Sequence, residues 1–394
     1  MDTIKKRILS IDVLRGIIMA IMALDHTRDY FHLDAVTQDP TNLTTTTPIL
    51  FFTRFITHYC APTFVFLSGL SIYLQSLRKN KPELSKFLLT RGLWLVIMEL
   101  TFVNFGWSFN IYFNFAFLQV IWAIGWSMIF LAALIRLPYP AIVVTALSIT
   151  LLHNLTDIYK PINEELYVAS NFLMFTDFTL YHIGPVNIIS AYAILPWTGV
   201  MLLGYSTGKW FESERVSPEK RQRLLIISGL SLIVLFVVLR LINGYGDPSP
   251  WKPQKDSVYT LLSILNITKY PPSLMYVCIT LGPSLLVLAA LENVQVKGFW
   301  KVMNTFGRVP FFYYLLHVYI IHLLCVVVYF AQGYTLGQLF TIPQQFAFRP
   351  NENFGFSLGY VYLMWLLVLV LCYFPSRWYD RYKTANKKWW LSYL

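Results

Sequence analysis

The chain reads as an all-α integral membrane protein, a bundle of about ten transmembrane helices with both termini cytoplasmic. Three observations predict this. Only 13% of the 394 residues are charged and 56% are hydrophobic, against about 25% charged in a soluble domain; mean hydropathy is +0.53. Apolar windows of the roughly 20 residues needed to cross a bilayer recur along the whole length. Lysine and arginine alternate between the segments joining those windows, as positive-inside orientation requires.

The windows lie near 10–31, 53–76, 87–107, 113–135, 138–153, 187–208, 224–242, 272–291, 308–331 and 356–374. With the N-terminus inside, the cytoplasmic pieces are the N-terminus, 77–91, 136, 209–223, 292–308 and 375–394, and they hold 22 of the 31 basic residues. Topology thus accounts for the net charge of +11 without a nucleic-acid partner. The last piece ends in Trp389-Trp390, an interfacial aromatic anchor. Lys5, Lys6 and Arg7 precede the first window, but no small-residue cleavage site follows it, so it is expected to stay as a helix. Outer segments 33–50, 154–186 and 243–270 are long enough to fold over the membrane. No soluble stretch interrupts the pattern, and 1–394 reads as a single domain. Cys60, Cys278, Cys325 and Cys372 all sit in apolar windows; they are read as packing residues, with no disulfide expected.

The first window is the most informative. Asp12 and Arg15 stand at its start, and Asp25, His26, Arg28, Asp29 and His32 crowd its end. Arg15 and His26 are eleven positions apart, about 20° short of or past three full turns, so both project from one stripe roughly 16 Å apart. Ionisable residues at membrane depth are expensive and are functional candidates by default. Others occur on neighbouring windows. Arg54 and His58 are four apart and share a face of the second. Glu99 in the third is expected to partner an intramembrane base such as Arg15. Asn187 opens the sixth; Tyr313, His317 and His322 occupy the ninth. A shared polar cavity is the economical reason to bury so many such groups, and Arg54, His58, Asn187, Tyr313 and His317 are its expected lining. The P-loop, nucleotide-fold, hydrolase-elbow and zinc-protease motifs of soluble enzymes are absent. The spacings of His26, His32 and His58 match no familiar metal site, and no metal is expected.

Five stretches resemble a known family. RILSIDVLRG (7–16), FFTRFITHYCAPTFVFLSGLS (51–71), LPWTGVMLLGYSTGKWF (195–211), LNITKYPPSLMY (265–276) and FGRVPFFYYLLHVYIIH (306–322) look, in that order, like the heparan-α-glucosaminide N-acetyltransferase family and its bacterial relatives. The R-x10-H spacing of Arg15 and His26 also resembles a signature of the wider transmembrane acyltransferase superfamily. The resemblance implies transfer of an acyl group, typically acetyl from cytoplasmic acetyl-CoA, to a sugar beyond the membrane. His26 matches the superfamily histidine, while Tyr30-Phe31-His32 resembles the context of the lysosomal enzyme's active histidine, so both remain candidates.

Such a transfer needs a base to take the nucleophile's proton, and a histidine oriented by Asp25 or Asp29 suits that task. Arg15, Arg91 and Arg308 fall on the cytoplasmic side, where the CoA phosphates need cations. The function expected is therefore an acyltransferase of the cell (inner) membrane, multi-pass, acting on an extracytoplasmic glycan or sugar acceptor. Its other expected partners are membrane lipids, and a homodimer is compatible with the sequence. The alternative is a multi-pass transporter or exporter with an ionisable-residue-lined cavity, for which no matching pair of interrupted windows is found.

Overall fold

The computed structural model describes residues 8–158, 164–176, 178–386 and 388–393; Lys5, Lys6, Arg7 and Lys387, part of the orientation argument, lie outside them. Helix α1 (Leu9–Phe31) buries 18 of its 23 residues. It is the central helix, which is how a segment with five charged residues is accommodated at depth. Two spans are composite: α2 (Pro48–Thr57) with α3 (Cys60–Ser76), broken at His58-Tyr59, and α4 (Lys81–Met98) with α5 (Asn104–Ser108), joined by a π-helical turn at Glu99–Val103. Then come α6 (Val120–Leu134), α7 (Tyr139–Leu152), α8 (Glu164–Leu173), α9 (Ile194–Thr207), α10 (Pro218–Ile242), α11 (Ser257–Leu265), α12 (Leu274–Leu291), α13 (Phe299–Arg308), α14 (Pro310–Ala331) and α15 (Leu358–Ala385). Helix starts follow ordinary capping chemistry: the side chains of Thr47, Asn80, Ser217, Asp256 and Ser273 each accept from the backbone N–H three residues on.

Each of the ten windows contains a helix. Among the described residues, seven helical segments are long and apolar enough to cross a membrane: Pro48–Ser76, Lys81–Ser108, Tyr139–Asp157, Pro218–Ile242, Leu274–Leu291, Pro310–Ala331 and Leu358–Ala385. The other three are α1, too charged to qualify by composition, and α6 and α9, which are 15 and 14 residues long. The windows 113–135 and 187–208 begin too early. Phe115–Leu118 is strand β1, Leu180–Ile183 is β2 and Val186–Ser190 is β3; β1 pairs in parallel with β3, Phe115 opposite Asn187, and β2 is antiparallel to β3. Aromatic and β-branched runs of this kind fit a pleated surface as well as a helix, and hydropathy cannot tell them apart. A hairpin of β4 (Gln344–Phe346) and β5 (Arg349–Pro350) lies on the same face. The bundle is all-α; this end, where α1 exits, is not.

Four helix pairs pack through reciprocal glycines. A β-carbon on Gly16 of α1 would lie 1.7 Å from the Met303 carbonyl oxygen of α13, and one on Gly307 of α13 would lie 1.7 Å from the Asp12 oxygen. Gly69 and Gly204 seam α3 to α9 in the same way, each 1.9 Å from a partner carbonyl oxygen. Gly92 with Gly125 joins α4 to α6, and Gly229 with Gly282 joins α10 to α12. Lipid offers little hydrophobic drive between helices, so close backbone approach across small residues is what holds such pairs together.

Candidate active site

At the exit end of α1, helical spacing places Asp25, Arg28 and Asp29 toward the last turn of α2 and His26 toward α14. The Asp25 carboxylate accepts from Arg54 Nη1 (2.8 and 2.6 Å) and from Thr57 Oγ1 (2.9 Å). Arg28 Nη2 bridges Asp25 (2.9 Å) and Asp29 (2.8 Å). The break after Thr57 ends α2 here, so Arg54 and Thr57 reach Asp25 while His58 turns away to an edge contact with Tyr276.

His26 is oriented by a histidine, not by a carboxylate. Its Nδ1 lies 2.7 Å from His317 Nε2, and His317 Nδ1 lies 2.9 Å from the Tyr313 carbonyl oxygen. A carbonyl only accepts, so His317 carries its proton on Nδ1 and offers a lone pair on Nε2. His26 Nδ1 must then donate to it. This chain leaves Nε2 of a neutral His26 as the unprotonated nitrogen, with no hydrogen-bond partner among the described residues. The two imidazoles stack at 4.9 Å, and Trp107 meets His26 edge-on at 4.6 Å. Tyr30 holds α5 in place by donating to the Trp107 carbonyl (2.5 Å).

His26, Asp25, Arg28, Asp29 and Arg54 line a cavity of about 200 Å³ together with Trp107, Gln119, Tyr192, Lys269, Tyr270 and Phe346. The small sheets build its walls. Gln119 follows β1, and Phe346 in β4 is pinned from two sides: the Ala347 carbonyl accepts from His322 Nε2 (2.7 Å), and Arg349 Nη2 donates to the His32 carbonyl (2.8 Å). Burial alone would raise the Tyr270 phenol; Lys269 and Arg54 outweigh it and hold the group below its ordinary range.

The sequence-predicted residues separate into three groups. His26, Asp25, Arg54 and His317 come together. His58, Asn187 and Tyr313 do not line the cavity: Asn187 is on β3, accepting from His182 (2.6 Å), and Tyr313 stacks behind His317 at 5.3 Å. His32 caps α1 beside a separate small pocket with Asp34 and Gln38; burial, opposed by Asp34 and reinforced by Arg28 and Arg349, holds its imidazole below the usual range. Arg15, Arg91 and Arg308 stand at the opposite end. Arg15 binds Asp12 (3.2 Å), Ser71 (2.7 Å) and the Gly307 carbonyl (3.2 Å); Arg308 pairs with Asp380 (2.7 Å); Arg91 lies over the Tyr393 ring. Glu99 does not pair with Arg15. It accepts from the Gln119 backbone N–H (2.7 Å), which carries it to the cavity end of the bundle.

The family model for heparan-α-glucosaminide N-acetyltransferase, catalytic, matches residues 7–238. The chain belongs to this family. The match covers more than half of the sequence and includes the whole of α1, α2 and α3, and with the apolar helices it makes the chain a multi-pass membrane protein of an acetyltransferase family. No curated protein matches the chain. Lys269 and Tyr270 lie beyond the matched residues, yet the fold brings them to the cavity that Asp25 and His26 line, and His317, also beyond the match, reaches the His26 ring. Among the described residues, no group of three or more His, Cys, Asp or Glu side chains is arranged to hold a metal ion.

Sequence reasoning missed Trp107, Gln119, Tyr192, Lys269, Tyr270 and Phe346 as cavity residues. For Lys269-Tyr270 a signal existed, because they sit inside the LNITKYPPSLMY stretch that carries the family resemblance. Trp107 and Phe346 gave none; they look like ordinary membrane aromatics until the chain is folded.

Proposed function

We propose that the protein transfers an acyl group, most simply acetyl, from cytoplasmic acyl-CoA to a hydroxyl or amine of an extracytoplasmic sugar or glycan, with His26 as general base. The observation that carries this reading is the His26–His317–Tyr313 chain, which fixes the proton on Nδ1 and leaves Nε2 free beside a cavity large enough for part of a substrate. In the step proposed, the acceptor's oxygen or nitrogen attacks the thioester carbonyl while His26 Nε2 takes its proton. The carbon–sulfur bond breaks, and the CoA thiolate leaves and is reprotonated from the imidazolium. Asp25, saturated by Arg54, Arg28 and Thr57, serves the architecture around His26 rather than the ring itself.

The proposed frame is a single domain of ten spans in the cell (inner) membrane with both termini cytoplasmic, which the basic-residue alternation supports. Acyl-CoA would enter from the start of α1, with Arg15, Arg91 and Arg308 serving its phosphates. The family supports acetyl-CoA as the donor. Purified protein in detergent, assayed for acetyl-CoA turnover with and without His26→Ala, tests the reading. Turnover that survives in the folded variant overturns the base assignment. A reporter fused after Leu394 that reads as extracytoplasmic overturns the topology.

A further inference from the structure

A second cavity, of about 250 Å³, lies at the other end of the bundle from His26, where α3 ends just past Ser71, the partner of Arg15. Its walls come from the ends of α3, α6 and α9 and the starts of α4 and α7. Tyr73, Tyr139 and Tyr205 make one aromatic cluster of the lining, Tyr73 meeting the other two edge-on at 6.1 and 5.2 Å. Lys81, Lys209 and Arg215 face a single carboxylate, Glu212. That carboxylate is already spent, since it accepts from the Tyr73 hydroxyl and pairs with Arg215 at 3.2 Å. Lys81 donates to the Arg136 and Leu137 carbonyls (3.2 and 3.3 Å), and Lys209 lies over the Tyr139 ring at 4.6 Å. Neither lysine has a carboxylate within ion-pair distance among the described residues. The lining keeps two positive charges without a counter-charge.

We propose that this pocket is a lipid site, which receives the phosphate of an anionic phospholipid headgroup between Lys81 and Lys209. Basic pockets between membrane helices take such headgroups, and tyrosine rings settle at the same level of the bilayer. A zwitterionic headgroup brings its own cation and leaves the imbalance in place, so charge selects the lipid. A lipid fits better than a soluble phosphate because one wall belongs to a peripheral helix. Helix α7 supplies Tyr139 and Ile142 to the pocket while Val144, Leu147 and Leu151 of the same helix stay exposed, as a lipid-facing span requires. None of the lining comes from α1, α13 or α15, where Arg15 and Arg308 stand. In the proposed orientation the segments 77–91, 136 and 209–223 are cytoplasmic, which assigns the lipid to the cytoplasmic leaflet. The binding itself depends neither on that orientation nor on acyl transfer.

Purified protein in detergent is titrated with dioleoyl phosphatidylglycerol and with dioleoyl phosphatidylcholine, and bound lipid is read by native mass spectrometry. One phosphatidylglycerol is expected to bind about tenfold tighter than phosphatidylcholine, the scale set by one or two basic residues at a headgroup. Lys81→Gln with Lys209→Gln should erase the preference, and the paired arginine variants should keep it; both lysines are exposed, so folding is retained. Lys297→Gln with Lys301→Gln removes two exposed cations outside the pocket and should leave the preference unchanged. Equal affinities in wild type overturn the proposal, as does a preference that persists in the Lys81/Lys209 glutamine variant. An equal loss in the Lys297/Lys301 variant also overturns it, because a diffuse basic surface would then be the attraction. So does coenzyme A displacing the phosphatidylglycerol, since the pocket would then belong to the donor. A reporter after Leu394 that reads as extracytoplasmic moves the lipid to the other leaflet while the binding preference stands.

Discussion

Helix α1 makes the same ion pair at both ends, and the two pairs have different fates. Arg15 meets Asp12 and Arg28 meets Asp25, each three residues apart, at 3.2 and 2.9 Å. At the start of the helix, Gly16 and Gly307 draw α13 against the backbone, and Arg15 also donates to Ser71 and the Gly307 carbonyl. At the exit the neighbours stand off. Arg28 keeps an unpartnered nitrogen, Asp25 is shared with Arg54, and a cavity of about 200 Å³ opens beside them. A local motif therefore does not decide whether a buried ion pair is structural or functional. The closeness of the surrounding backbone does.

The largest effect is expected where that closeness is greatest. Gly307→Leu places a side chain where even a β-carbon would be 1.7 Å from the Asp12 carbonyl oxygen. Overpacking in tight cores costs typically about 1–3 kcal/mol and more when backbone must move. The backbone is the obstacle here, so loss of the monodisperse folded species in detergent chromatography is expected. A Gly307→Leu protein with unchanged thermal stability would show that the α1–α13 seam is looser than its geometry implies.

Next in size is the exit end. General-base catalysis contributes typically about 10²–10⁴-fold, so His26→Ala should lower acyl transfer by that range with acyl-CoA binding and folding retained. His32→Ala is the matched control, since it caps the same helix six residues on. Loss of transfer in His32→Ala with activity retained in His26→Ala moves the base along the chain and breaks the comparison.

The part of this site that was legible in the sequence is the part written on one helix. Asp25 and His26 follow from the 3.6-residue repeat and the cost of buried charge, and the bundle follows from apolar windows. The orienter of His26 was not legible. Asp25 and Asp29 are its sequence neighbours, but helical spacing turns them toward Arg28 and Arg54, and His317 arrives from 291 residues away. The outer strands were hidden for a related reason: a short run such as Val186–Ser190 is apolar enough for a helix and becomes a strand because Phe115–Leu118 and Leu180–Ile183 pair with it on either side.

A smaller effect is expected from His317, because it acts through His26. His317→Ala removes the acceptor for His26 Nδ1 and frees the ring to change tautomer and tilt, for an expected loss of about tenfold, below the range for removing a general base outright. His317→Gln can still accept through its side-chain carbonyl and should recover part of that loss. The readout that separates positioning from simple packing is kcat against KM: kcat should fall with KM for acyl-CoA little changed. Equal damage in the Ala and Gln variants would assign His317 to packing.

The smallest effect belongs to Arg308. Its pair with Asp380 is partly exposed, the two side chains being 26% and 20% accessible, and such pairs are worth about 0–1 kcal/mol. Arg308→Ala should therefore leave thermal stability almost unchanged, unlike Arg15→Ala, which breaks a buried ion pair with Asp12 beside α13. That difference in burial makes Arg308 the cleaner probe of the donor end. If the cations near the start of α1 serve the CoA phosphates, Arg308→Ala weakens coenzyme A binding in a protein that folds normally, and the weakening shrinks as salt screens the exposed charge. Unchanged affinity at low salt in both Arg308→Ala and a folded Arg15→Ala would leave that end of α1 purely structural and place donor binding elsewhere in the bundle.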